Sequence, residues 1–189
     1  MDPTPTPHLF IDRDGTLIRD EHYLRDPSKV VLEQDAVVGL KKFADAGYRL
    51  VVVTNQSGIG RGLIKSDEYE AVNSRLAQLL ADEDIVIASW HHCPHRPDEA
   101  CECRKPAIGM FLAANIIYPV DWRSSVMVGD KPSDVYAGLS LGLFTALVKT
   151  GYGRQHVKWA VSLGVVAVST LNELADIFLT PSFLLSKSD

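Results

Sequence analysis

What the chain lacks narrows its identity before any motif is read. Across 189 residues no apolar run approaches the roughly 18 needed to span a bilayer, so no membrane span is expected. There is no excess of positive charge. The formal net charge is −5, whereas a general nucleic-acid or anionic-membrane surface needs a basic footprint. Local basic groups can still hold a single phosphate, so this balance argues only against large polyanions. Cysteine is scarce: three residues, all between Cys93 and Cys103. A disulfide framework would spread them along the chain, so a metal site is the first expectation. The opening Met1-Asp2-Pro3-Thr4-Pro5-Thr6-Pro7 has no apolar stretch and does not read as a secretory signal, which points to the cytoplasm. No internal repeat or low-complexity linker stands out. The length suits one domain spanning 1–189, and a hydrophobic fraction of 46% is enough to bury a core.

What is present is an alternation of short apolar runs and amphipathic stretches. His8–Ile11, Leu50–Val53, Ile85–Trp90, Ser125–Val128, Phe144–Val148 and Val165–Val168 read as strands. Between and after them, 36–46, 66–80, 108–117, 133–141, 155–164 and 171–178 place apolar residues at helical spacing. Thr54 to Gly62 reads as a polar, glycine-rich loop, and the residues from about Thr180 as a frayed tail. This pattern predicts an α/β fold with a Rossmann-like, mainly parallel sheet and helices on both faces. In such sheets ligands collect at the carboxyl ends of the strands. Asp12, Thr54 and Asp130 each stand just past a predicted strand, so all three should meet in one crevice.

Asp12-Arg13-Asp14-Gly15-Thr16 carries the first chemical signal. Two carboxylates two residues apart can bind a cation and divide the work, one attacking phosphorus while the other protonates the leaving oxygen. An isolated pair of this kind is usually a solvated turn. A calcium loop would need glycine where Leu17 stands. Thr54-Asn55-Gln56-Ser57 offers a hydroxyl and amides to a phosphoryl group. The glycines that follow are spaced GIGRG and their helix begins only near Ser66, which does not fit a dinucleotide-binding turn. Arg104-Lys105-Pro106 adds positive charge. Gly129-Asp130-Lys131-Pro132-Ser133-Asp134 closes the set, with Asp130 completing a magnesium site of hard oxygen ligands. Asp134 either supports that site from behind or caps a helix.

Cys93-Pro94-His95 and Cys101-Glu102-Cys103 supply three thiolates and one imidazole. That composition is a four-coordinate zinc set with no position left for water, hence structural. His91 and His92 are substitutes for His95, which is preferred because it pairs with Cys93 as Cys101 pairs with Cys103. Zinc in the loop 91–105 would also fix Arg104 and Lys105, which follow the last ligand.

The strand followed by DRDGT, then Thr54, Lys105 and Gly129-Asp130, resembles the four motifs of the haloacid dehalogenase superfamily of phosphatases across residues 8–150. The resemblance implies roles. Asp12 would be the nucleophile and Asp14 the acid and then the base, with Thr54 and Lys105 as phosphoryl clamps. Magnesium would be held by Asp12, Asp130 and the backbone carbonyl of Asp14. The pattern CPH…CxCRKP is similar to the histidinol-phosphatase and D,D-heptose 1,7-bisphosphate phosphatase branch. TNQSGIGRG and RDEHYLRDP are more similar to its heptose enzymes. By that likeness Asp20, Glu21, His22, Tyr23, Asn55, Gln56, Ser57, Arg104 and Lys131 line the substrate site. His22 stands where a smaller residue is expected. The cap is minimal, so selection falls to the loops 18–30 and 93–105. The implied reaction removes the C7 phosphate of a heptose 1,7-bisphosphate, a small metabolite, with a monomer as the expected state. Histidinol phosphate is the alternative substrate. A receiver-type signalling domain also gathers Asp, Thr and Lys around magnesium, but it has no acid two residues beyond its aspartate.

Overall fold

Strand β1 (His8–Ile11) is buried at every position, as a strand covered on both faces must be. The computed structural model describes residues 4–180, so the expected tail beyond Thr180 lies outside the described residues. After β1 come α1 (Ala36–Asp45), β2 (Arg49–Asn55), α2 (Ser57–Gly60), α3 (Ser66–Ala81), β3 (Ser89–Cys93) and α4 (Gly109–Ile117). Then follow β4 (Val126–Gly129), α5 (Pro132–Ser140), β5 (Phe144–Val148), α6 (Gly153–Ser162), β6 (Val166–Val168) and α7 (Leu171–Phe178). The strands form one six-stranded, wholly parallel sheet in the order β3-β2-β1-β4-β5-β6. The strand order reverses between β1 and β4, where such sheets open a crevice beyond the strand ends.

Helices cover both faces. Leu9, Ile11, Leu50, Val52, Val126 and Val128 point one way, packing with Leu40 and Phe43 of α1, Leu76 of α3 and Phe178 of α7. Phe10, Val51, Val53 and Met127 point the other way, against Phe111 and Ala114 of α4 and Ala137 of α5. The alternation is the period of two that the pleat imposes. Each such side chain, fully buried, contributes about 1.5–3 kcal/mol. Between β1 and α1 the only regular element is a 3-10 turn at Pro27–Lys29, so the cap is minimal. No helix among the described residues is long and apolar enough to cross a membrane.

Two local expectations are corrected. The strand expected at Ile85–Trp90 begins at Ser89 and ends at Cys93. The chain is still closing α3 at Ile85, whose N–H returns to Leu80 O at 2.9 Å, and pairing with β2 starts only when Ala88 N–H reaches Leu50 O at 2.8 Å. Val86, apolar in sequence, is 78% exposed. The expected loop after β2 contains a helical turn, α2. Gly58 in that turn is needed for contact: a Cβ there would lie 2.6 Å from the ring of Tyr23.

Candidate active site

Asp12 follows β1 directly and Asp130 follows β4, so the switch point brings them together. Asp12 N–H donates to Val128 O at 3.0 Å, which carries the β1–β4 pairing one step beyond β1. Asp134, in the first turn of α5, completes a buried cluster. Ligand oxygens of Asp12, Asp130 and Asp134 all lie within 4.8 Å of one another.

Two ammonium groups answer these three carboxylates. Lys105 Nζ donates to Asp12 Oδ1 at 2.7 Å and to Val53 O at 2.6 Å, and forms an ion pair with Asp134 Oδ1 at 2.6 Å. Lys131 Nζ lies 3.5 Å from Asp130 Oδ1, 3.3 Å from Asp20 Oδ2 and 3.4 Å from Asp14 O. Asp130 Oδ1 is buried without a hydrogen bond.

The electrostatics separate the carboxylates. Burial alone would raise Asp12, but Lys105 and Lys131 outweigh it and hold the group below the usual carboxylate range. Burial, reinforced by the charge of Asp12, pushes Asp130 up to about 8. Burial also raises Asp134, against the pull of Lys105. Desolvation would lower both lysines, yet the carboxylates, Asp12 foremost, raise them and keep both charged.

Asp14 has a different set of partners. Arg13, only 1% exposed, donates from Nε to Asp14 Oδ2 and from Nη2 to Oδ1, each at 3.1 Å. Its Nη1 donates to Asn73 Oδ1 at 2.8 Å, and its guanidinium lies 5.3 Å from the centre of the Tyr69 ring. Gln56 Nε2 donates to Asp14 Oδ2 at 2.7 Å and to Thr54 Oγ1 at 2.8 Å, tying the two together. Asp12, Asp14, Thr54, Lys105, Lys131 and Asp134 border a cleft of about 340 Å³, whereas Asp130 does not.

Beside the cleft, Cys93, His95, Cys101 and Cys103 converge. Cys101 Sγ lies 3.7 Å from the sulfurs of both Cys93 and Cys103, and His95 Nδ1 lies 3.5 Å and 3.2 Å from Cys93 Sγ and Cys103 Sγ. A tetrahedral ion with bonds of about 2.3 Å to sulfur has sulfur–sulfur edges of about 3.7 Å. The cluster is therefore built to the dimensions of a metal site.

The HAD-hydrolase-like family model matches residues 102–174. The D-glycero-alpha-D-manno-heptose-1,7-bisphosphate 7-phosphatase of Photorhabdus laumondii subsp. laumondii is 38% identical over 151 residues, 76% of this chain and 82% of that protein. The D-glycero-beta-D-manno-heptose-1,7-bisphosphate 7-phosphatase of Yersinia pestis is 35% identical over 180 residues, 90% of this chain and 93% of that one.

The chain belongs to the heptose-1,7-bisphosphate 7-phosphatase family.

Its fold agrees. The D,D-heptose 1,7-bisphosphate phosphatase from B. bronchiseptica, solved complexed with magnesium and phosphate, matches with a TM-score of 0.84 and 29% identity. That match covers 92% of this chain and 98% of the other. The sheet is thus that of a haloacid dehalogenase-like phosphatase, as the motifs suggested.

Within this fold, Asp12, Asp14, Thr54 and Lys105 meet around one cleft, with Asp130 buried beside Asp12 and Asp134. Asp20, His22, Tyr23, Gln56, Ser57, Arg104 and Lys131 line it, while Glu21 is exposed and lies outside the lining. Asn55 lines it too, but its carboxamide is engaged with the backbone of Lys105. His95 joins the cysteines, whereas His91 bonds Ser89 and His92 packs on Tyr69. Asp134 has a partner on each carboxylate oxygen. Its Oδ2 accepts Lys131 N–H at 3.0 Å at the start of α5, while Oδ1 meets Lys105.

Sequence reasoning missed Tyr152, Arg13 and Asn73. Tyr152 N–H donates to Asp130 Oδ2 at 2.8 Å, its ring centre lies 5.2 Å from Lys131 Nζ, and its hydroxyl lies 3.2 Å from His22 Nδ1. The rule that found Asp12 and Asp130 would have found Tyr152, because it lies just past β5. Nothing in the spacing marks Asn73.

Proposed function

We propose that this chain removes the C7 phosphate of D-glycero-D-manno-heptose 1,7-bisphosphate, yielding a heptose 1-phosphate and inorganic phosphate. The observation that carries the reading is Lys105 bridging Asp12 and Asp134 in the lining of a cleft that Asp14 and Thr54 also border. The family relatives bear names of that activity.

Asp12, kept ionised by Lys105 and Lys131, attacks phosphorus. The bond from phosphorus to the C7 oxygen breaks, and Asp14 delivers its proton to that oxygen. An aspartyl phosphate remains on Asp12. Asp14, now a carboxylate held by Arg13 and Gln56, takes a proton from water as the water oxygen attacks the same phosphorus. The P–O bond to Asp12 then breaks, and phosphate leaves. Lys105 and Thr54 hold phosphoryl oxygens throughout, where positioning and charge do most of the catalysis. His22, Tyr23, Arg104 and Lys131 bound the space for the sugar and its second phosphate.

The residues fit a divalent cation. Three buried carboxylates face two ammonium groups, Asp130 Oδ1 has no hydrogen bond, and burial, reinforced by the charge of Asp12, raises its carboxyl to about 8. Asp12, Asp130 and the carbonyl of Asp14 would hold magnesium, which when bound neutralises charge on the transferring group. Cys93, His95, Cys101 and Cys103 would hold zinc as a structural ion.

The test is magnesium-dependent phosphate release from D-glycero-D-manno-heptose 1,7-bisphosphate and histidinol phosphate, side by side. Preference for the bisphosphate, with phosphate leaving from C7, is expected. Preference for histidinol phosphate would reassign the substrate and keep the chemistry.

A further inference from the structure

Lys105 is only 2% exposed, yet it belongs to the irregular segment between β3 and α4. A buried backbone outside any ladder must find partners elsewhere. For Lys105 a single side chain provides both. Lys105 N–H donates to Asn55 Oδ1 at 3.0 Å, and Asn55 Nδ2 donates to Lys105 O at 3.0 Å. A carboxamide offers one acceptor and a donor side by side, as a peptide group does. Asn55 therefore acts as one more rung on β2, with the lysine backbone as its strand partner. Two residues back, Val53 O accepts the Lys105 ammonium at 2.6 Å. Strand β2 thus holds this lysine at both ends.

The same position joins the Cys/His loop to the sheet. Asn55 pairs in register with Cys93, and Gln56 N–H donates to Cys93 O at 2.8 Å. Cys103 precedes Lys105 by two residues. The loop leaves β3 at one cysteine of the cluster and returns beside another, and Asn55 fastens the returning end.

We infer that Asn55 is a positioning residue that acts through Lys105, setting the ammonium against the transferring phosphoryl group. The inference rests on the clamp role proposed above for Lys105. No other side chain in the described hydrogen-bond network holds that segment of backbone by both its N–H and its C=O. Asp keeps the shape and the acceptor but loses the donor. Ala loses both.

The test compares Asn55→Ala, Asn55→Asp, Lys105→Ala and the Asn55→Ala/Lys105→Ala double variant with the parent. Each is assayed for kcat/KM on a phosphate ester and for inhibition by inorganic phosphate, with bound metal and melting temperature as controls. Asn55→Ala should weaken both kcat/KM and phosphate inhibition by about tenfold or more while keeping the loop metal. In the Lys105→Ala background the same change should cost less than about twofold, because the group it positions is already gone. Asn55→Asp should fall between Ala and the parent. Parent-like phosphate inhibition in Asn55→Ala overturns the inference, as does a full loss on top of Lys105→Ala. Should Asn55→Ala not fold, parent-like inhibition of Asn55→Asp overturns it equally. Lys105→Ala with parental activity would overturn the clamp reading itself, and the inference with it.

Discussion

Gly15 and Asp130 are in contact across the switch point: a Cβ on Gly15 would lie 2.4 Å from Asp130 Oδ2. Gly15 also has φ of +85°, where an L side chain is strained. Gly15→Ala should therefore displace the Asp130 carboxylate at a strain cost of about 1–2 kcal/mol. The expected result is a folded protein that needs at least about tenfold more magnesium for half-maximal activity. An unchanged magnesium dependence would mean that Asp130 can move aside without consequence.

Asp12→Asn should fold and release almost no phosphate, since an amide cannot attack phosphorus. Removing a covalent nucleophile is expected to lower kcat by at least about a thousandfold. Circular dichroism confirms the fold and phosphate release measures the loss. Turnover near that of the parent would sink the mechanism.

Asp130 sets a pH dependence in the magnesium-free protein. Its carboxyl titrates near 8 when folded, against about 3.9 in an unfolded chain. Between those values the folded state retains a proton that the unfolded state has released. The stability from this group is therefore full below about pH 4 and is lost as pH rises through about 8. Melting temperatures measured without magnesium should fall over that window. Asp130→Asn, or added magnesium, should flatten the decline, and a decline unaffected by either would point to another group.

Cys101→Ser removes one ligand of the Cys/His cluster. Metal content measured by mass spectrometry should fall, with a lower melting temperature and reduced kcat, because Arg104 and Lys105 follow the cluster directly. Full activity in demonstrably metal-free protein would show that the loop holds Lys105 without its ion.

Much of this was legible in advance. The first and fifth strands lie where their apolar runs predict them, because both are interior strands of a parallel sheet. The third strand begins later than the apolar run Ile85-Val86-Ile87 predicts, because pairing with β2 decides where extended structure begins. The motif residues could be placed together because parallel α/β topology gathers strand ends, whatever lies between them. Their partners could not. Arg13 meets Asn73 across 60 positions, Asn55 meets Lys105 across 50, and Tyr152 meets Asp130 across 22.

The order of amino acids determined by itself which chemical groups stand at the strand ends, since hydrophobic period and turn residues are local properties. Only the tertiary structure decided which carboxylate is paired, which is left in excess, and which amide holds the buried lysine. A hydrogen bond forms within about 3 Å, and no spacing along a chain encodes a distance that short between residues on different elements and loops.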